Sequence, residues 1–283
     1  MKKVLLCLFI ISFFLTGCKS NIQNEKSDVK SIAVSIGVQA TFAQKICGDK
    51  WEILTAIPSG ASPETYEPNP AELRKINQAE IYFGIGVPSE ENFIIPSLGN
   101  QISSVRLQDA VKEKYPEIGE GIFRDPHIWL SPKRAVVMVE TMANEIIKAD
   151  GENKAFYQDY ADRYIEELKS LDNYIKGVLE PIKNRKFLCF HPSFGYFAED
   201  YGLKMYSLEE EGKETTAKQL SKMAQLAKKE NIKIIFYQAE MSQRQALSFA
   251  EEIDGQAVML EPLSPDYIEN LKKMTDEIAK AMK

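Results

Sequence analysis

Only two histidines occur in the 283 residues, His127 and His191. Imidazole is the commonest protein metal ligand and the usual proton shuttle near neutral pH, so the first chemical question is whether these two meet. His127 stands in Arg124-Asp125-Pro126-His127-Ile128-Trp129-Leu130-Ser131-Pro132, and His191 in Phe190-His191-Pro192-Ser193-Phe194-Gly195-Tyr196-Phe197. Each lies just ahead of a helix-start signal. His127 precedes the cap-plus-proline pair Ser131-Pro132, and His191 directly precedes Pro192-Ser193. Two carboxylates share that placement. Glu64 precedes Asn69-Pro70, where Glu72 completes a capping box, and Glu261 precedes Ser264-Pro265.

Two neutral imidazoles and two carboxylates carry the charge that matches a divalent cation. Such a set suits Zn²⁺ in tetrahedral geometry, or Mn²⁺ if the carboxylates become bidentate and coordination expands. Four protein donors leave little room for the open position that catalysis needs, which favours carrying a metal over using it. A lone histidine at a strand end is more often a hydrogen-bonded structural residue. That both histidines of the chain occupy equivalent junctions argues for a shared site. Asp125 is placed to orient His127 from behind, although it could equally be a turn residue before Pro126. Gln238 and Glu240 face the same presumed cleft as weaker candidates. Glu67, beside Tyr66, is a competing ligand that reads better as a surface residue.

The elements that must position these groups alternate. Short continuous apolar runs at 31–37, 51–57, 80–85 and 105–108 read as strands, with helices at 38–46 and 70–78 between them. A helix follows from Ser131-Pro132 to about Ala149. The longest helical pattern then runs from about Asn153 to Ile182, with Phe156, Tyr160, Tyr164, Leu168, Leu171 and Ile175 at three- and four-residue spacings. At a rise of about 1.5 Å per residue it would reach roughly 42 Å, the length of a strut between two lobes. The alternation resumes with strands at 186–190, 203–208, 232–237 and 256–260. Helices are expected at 193–200 and 216–229, from Ser242 with Gln245 as a capping box, and from Ser264-Pro265 to the end. The expected fold class is α/β: two lobes, each a mostly parallel sheet flanked by helices, joined by one long backbone helix. The boundaries are 31–151 for the first lobe, 152–183 for the linking helix and 184–283 for the second lobe. In such sheets the strand-to-helix junctions line the crevice where ligands bind, and facing lobes would bring the four candidates together.

The N-terminus reads as a targeting segment. Lys2 and Lys3 precede the apolar run Val4–Gly17, too short to span a bilayer, which takes about 20 residues. Leu15-Thr16-Gly17-Cys18 resembles the bacterial lipobox, which implies removal of residues 1–17 and acylation of Cys18. Residues 18–30 are polar and read as a tether. With Cys7 in the signal, only Cys47 and Cys189 remain, and their spacing fits no zinc or redox motif, so both read as small core residues. A net charge of −6 argues against nucleic acid and gives no polybasic route to anionic lipid. Glu209-Glu210-Glu211 reads as a solvated run that could also steer cations. Gly84-Ile85-Gly86 lacks the third glycine of a dinucleotide loop.

Four stretches together resemble the metal-binding receptors of bacterial ABC importers, the zinc- and manganese-type solute-binding lipoproteins. They are Pro58-Ser59-Gly60-Ala61-Ser62-Pro63-Glu64-Thr65-Tyr66-Glu67-Pro68, Asp125-Pro126-His127-Ile128-Trp129-Leu130-Ser131-Pro132, His191-Pro192-Ser193-Phe194-Gly195-Tyr196-Phe197 and Leu260-Glu261-Pro262-Leu263-Ser264. The resemblance implies capture of a divalent metal between two α/β lobes and its delivery to an ABC permease with its ATPase. It also implies lipid anchoring on the extracytoplasmic side of the membrane, as a monomer and not an enzyme. The family usually has His where Glu64 stands and Asp where Glu261 stands. The motif wording favours zinc, while the two-His, two-carboxylate composition and the absence of His between Val105 and Arg124 keep manganese open. Two other classes stay in view: a metallohydrolase, which would need an open site and a base such as Glu240, and a metal-stabilised surface adhesin.

Overall fold

The computed structural model describes residues 30–121, 124–209, 215–240 and 242–283. The signal segment 1–17, the acylation site Cys18 and the tether up to residue 29 lie outside the described residues.

The first sheet contains β1 (Ser31–Val34), β2 (Glu52–Thr55), β3 (Ile81–Gly84) and β4 (Ser103–Arg106), all parallel, in the order β2-β1-β3-β4. Helices α1 (Gly37–Cys47), α2 (Pro70–Ile76) and α3 (Leu107–Lys114) connect and cover it. After α4 (Pro132–Ala149) and the long α5 (Lys154–Leu179), the layout repeats. The second sheet contains β5 (Lys186–Cys189), β6 (Lys204–Ser207), β7 (Ile234–Gln238) and β8 (Gln256–Leu260), again parallel, in the order β6-β5-β7-β8. Its helices are α6 (Gly195–Asp200), α7 (Ala217–Lys229), α8 (Gln243–Glu252) and α9 (Tyr267–Ala281). The expected class, two parallel-sheet lobes with a long helix between them, is the one observed. In both sheets the central strands are almost wholly buried, while the edges are mostly exposed in the first sheet and half-buried in the second.

Local signals explain several element boundaries. The Asn69 side chain accepts from the backbone of Ala71 and Glu72, and Glu72 returns a bond to the Asn69 backbone, so α2 starts with a full capping box. The Ser131 hydroxyl caps α4 at Arg134, with Pro132 in the first turn. Gly48, at φ +57°, ends α1 in a conformation other residues rarely adopt.

Three expectations need correction. The fourth strand runs 103–106 and not 105–108. Leu107 and Val111 are the buried face of α3, a helix that the reading of 105–108 as strand had hidden. The Ser242 side chain caps nothing, so α8 starts without the expected capping box. Pro265 does not open α9 either. Its carbonyl accepts from Thr41 Oγ1 at 2.6 Å, and the helix begins two residues later behind Asp266. The chain also makes one turn of π-helix at Glu90–Ile94.

A single apolar core runs from β1 and β3 through α4 and α5 to Phe187, Phe194 and the buried face of α9. Helix α9 therefore packs back on the first lobe, with Tyr267 edge-on to Phe42 at 5.0 Å. A smaller cluster under α7 and α8 covers the other face of the second sheet. Polar contacts join the lobes as well. Arg134 of α4, 1% exposed, binds Asp200 at 3.0 Å and Glu199 at 3.1 Å, and lies 4.4 Å over the Tyr196 ring. Trp129 Nε1 donates to the Pro262 carbonyl at 2.9 Å, and the Tyr267 hydroxyl to the Trp129 carbonyl at 2.7 Å. Cys47 and Cys189 are both buried free thiols.

Candidate metal centre

Three of the four expected ligands converge between the lobes. Glu64 lies in the loop from β2 to α2, where Ser62 turns the chain by accepting from Thr65 and Tyr66 through its carbonyl. From there Glu64 Oε1 reaches His191 Nε2 at 3.0 Å and His127 Nε2 at 3.9 Å. The two Nε2 atoms are 3.4 Å apart. One donor atom from each of the three residues lies within 4.8 Å of the others, a spacing that a single cation can bridge.

His127 sits at the end of an irregular segment and caps a short 3₁₀ turn, Ile128–Leu130. Asp125 fixes it twice: Oδ1 accepts from the His127 backbone N–H at 2.9 Å and from the ring Nδ1–H at 2.8 Å. Asp125 is itself held by the second lobe. The Tyr196 hydroxyl donates to its carbonyl at 2.9 Å, and a Cβ on Gly195 would stand 2.3 Å from Asp125 Oδ2. Only glycine leaves room for that approach.

His191 follows β5 directly and is buried. Its Nδ1–H donates to Glu209 Oε2 at 2.8 Å. With each Nδ1 committed to a carboxylate, both Nε2 atoms are directed at one point, and the carboxylates raise the basicity of both rings. Burial pushes the His191 pKa down, but the hydrogen bonds and charges of Glu209 and Glu64 outweigh it, leaving the imidazole at about 9. Burial pushes Glu64 up, and the hydrogen bond from His191 together with the charge of both imidazoles brings it below the ordinary carboxylate value. Without a cation, then, a proton occupies the His191–Glu64 contact.

The fourth expected ligand does not join this group. The Glu261 side chain is exposed, and its carbonyl accepts from Asn270 Nδ2 at 2.7 Å. Glu67 is exposed as well. Gln238, at the end of β7, is buried and donates to Ser193 Oγ, beside His191. Glu240, two residues further, lines the cavity next to the three ligands. That cavity is small, about 20 Å³, and is walled by Ser62, Val87, Trp129 and Pro262 among others. A larger cavity of about 800 Å³ shares Glu64, Pro126, His127 and His191 with it. The residue that reading by motif missed is Glu209. It was visible only as one of three consecutive glutamates, yet its place just past the strand 203–208 is the same kind of junction that marked His191.

Nitrogen and carboxylate donors thus meet between two parallel-sheet lobes, an arrangement that could hold a divalent cation. Residues 32–281 match the family described as ZnuA, zinc-uptake complex component A periplasmic, and the chain belongs to that family. It is 28% identical over 291 residues to the zinc-binding protein AdcA of Streptococcus pyogenes serotype M1, covering 93% of this chain and 56% of that protein. It is 26% identical over 277 residues to the high-affinity zinc uptake system protein ZnuA of Bacillus subtilis, covering 91% and 86%. This chain thus spans only about half the length of the streptococcal relative. Among solved structures, a crystal structure of ZnuA superposes with a TM-score of 0.84 at 31% identity, covering 90% of this chain and 100% of that one. The family is one of solute-binding transport proteins. Among the described residues, no helix is long and apolar enough to cross a membrane.

Proposed function

We propose that this chain captures a divalent transition ion outside the cytoplasmic membrane, zinc in preference to manganese, and hands it to an ABC permease. The observation that carries this is the convergence of Glu64 Oε1, His127 Nε2 and His191 Nε2, each imidazole backed by its own carboxylate. Imidazole nitrogen is a better donor to Zn²⁺ than to Mn²⁺, which prefers oxygen, and two nitrogens among so few donors favour the former. Family membership and the zinc-related names of the two relatives point the same way. Attachment would be through an acylated Cys18 after removal of residues 1–17, as the lipobox-like Leu15-Thr16-Gly17-Cys18 indicates. The protein would act as a monomer and as a carrier, not an enzyme: Asp125 and Glu209, the carboxylates touching the imidazoles, are spent on orienting ligands rather than placed as bases.

Capture would be ligand exchange in which the ion displaces the proton shared by His191 and Glu64. Release would need only a small motion, because α5 and the Arg134–Asp200 contact resist wide separation of the lobes. Elemental analysis of purified protein loaded with equal Zn²⁺ and Mn²⁺ tests this. One equivalent of zinc, lost on His127→Ala or His191→Ala, is expected. Protein that retains neither metal, or retains manganese over zinc, overturns the respective part of the proposal.

A further inference from the structure

The three converging groups leave a tetrahedral ion one donor short, and the carboxylate expected to supply it, Glu261, lies outside the group. The backbone around Glu261 is pinned on both sides. Its carbonyl accepts from Ser264 N at 3.0 Å and from Asn270, and the next carbonyl, of Pro262, accepts from Trp129. Its side chain is exposed, outside the residues that wall the small cavity.

Glu240 has the opposite situation. It walls that cavity together with Glu64, His127 and His191, although its carboxylate does not come within 4.8 Å of all three, and its Oε2 is a buried oxygen without a hydrogen-bond partner among the described residues. A buried carboxylate oxygen needs a donor or a cation, since its hydration is lost. Three donor groups of the cavity wall already serve other partners. The Gln238 amide serves Ser193, and both imidazole Nδ1–H groups serve Asp125 and Glu209.

The sheet order explains why β7 and not β8 brings the carboxylate in. Strand β7 lies next to β5, the strand that delivers His191, and the Phe190 N–H donates to the Phe236 carbonyl at 2.7 Å. The order β6-β5-β7-β8 reverses direction between β5 and β7, and the crevice at such a reversal is where ligands bind in open parallel sheets. Strand β8, which carries Glu261, is one position further out.

We infer that Glu240, and not Glu261, is the fourth protein donor to the bound divalent ion. This rests on the reading of the cleft as a cation site. Glu64 and Glu240 then balance the charge of a divalent ion, with two neutral imidazoles completing an N₂O₂ shell.

The test uses the full mature chain with Co²⁺ and Zn²⁺. A thiolate bound to Co²⁺ gives an intense near-ultraviolet charge-transfer band, and an unbound one does not. Glu240→Cys loaded with Co²⁺ is expected to show the band, and Glu261→Cys to lack it. In parallel, competition with a chromophoric chelator is expected to show Zn²⁺ affinity reduced about 100-fold or more in Glu240→Gln, and changed less than about threefold in Glu261→Gln, because a direct donor outweighs an outer-shell partner. A band from Glu261→Cys and none from Glu240→Cys overturns the inference, as does wild-type affinity in Glu240→Gln. His191→Ala separates the two levels. If it too keeps wild-type affinity, the cleft reading itself fails; if it loses affinity while Glu240→Gln does not, only the fourth donor is wrong.

Discussion

The Nε2 atoms of His127 and His191 lie 3.4 Å apart, although 64 residues and the whole of α4 and α5 separate them in the chain. Each ring is turned to that point by a carboxylate on its other nitrogen, Asp125 from the first lobe and Glu209 from the second. The site is thus assembled symmetrically, one oriented imidazole per lobe, with Glu64 bridging them.

Metal uptake should be linked to proton release. The His191 pKa is raised to about 9, burial opposing and the Glu209 and Glu64 hydrogen bonds prevailing, so the ring is protonated in the metal-free protein at neutral pH. A cation must expel that proton, and affinity should therefore climb as pH rises toward 9. Calorimetric titration with Zn²⁺ near pH 7.5, in two buffers of different ionisation heat, should report release of about one proton per ion. A heat independent of the buffer would contradict the assignment.

The same shift has the opposite effect on the metal-free fold. A group with a raised folded-state pKa stabilises fully below its unfolded value and loses that contribution as pH rises through the folded one. Between about pH 6.5 and 9 the urea midpoint of metal-free protein should fall, while that of the zinc-loaded protein should not. An apo midpoint that rises over this interval would reverse the argument.

Glu209→Gln should weaken Zn²⁺ binding by roughly 10-fold to 100-fold, the usual effect of losing a carboxylate behind a ligating imidazole. The amide can still accept from His191 Nδ1, so the ring keeps its orientation and loses basicity. The variant should also lower the His191 pKa, visible as a smaller proton release in the same calorimetric experiment.

Gly195→Ala probes the contact between lobes at the site. The new methyl group would stand 2.3 Å from Asp125 Oδ2, which must then move and take the His127 ring with it. Zn²⁺ affinity is expected to fall by about 10-fold, since His127 keeps its donor atom but loses its orientation. Unchanged affinity would mean that Asp125 can shift without disturbing His127.

Arg134→Ala should destabilise the protein by about 1–3 kcal/mol, because it removes the buried guanidinium from Asp200 and leaves that carboxylate only the Ser131 hydroxyl and the longer Lys133 contact at 3.4 Å. Adding Asp200→Asn should recover part of the loss in the denaturation midpoint. If the double variant is no more stable than the single one, the loss comes from packing over Tyr196 rather than from charge.

The fold class was legible because every central strand is a continuous apolar run and some helices, such as α2 and α4, carry both a cap and a proline at their start. Glu64 and His127 were legible because each precedes such a start, and His191 through Pro192-Ser193, although α6 begins two residues after Ser193 without a side-chain cap; the three meet. What stayed hidden depends on features that leave no periodic trace. Strand β4 is an edge strand with two exposed serines, so apolar pattern shifts attention to Val105 and Leu107, the latter already in α3. Glu261 occupies a similar junction by spacing, but its side chain is exposed while its backbone carbonyl accepts from Asn270. Glu209 sat inside an acidic run, where composition alone suggests solvent and only the neighbouring strand end points to His191.

The last helix has a consequence for how the chain is made. Tyr267, Leu271, Met274 and Ile278 fill the core that α1 and α5 share, and Thr41 binds the segment leading into α9. A nascent chain exposes Phe42 and the inner face of α5 until residues 267–281 are available to cover them. The first lobe is therefore not a unit that can mature early. Its folding waits on α9, and a chain lacking that helix would fail in the lobe that was synthesised first.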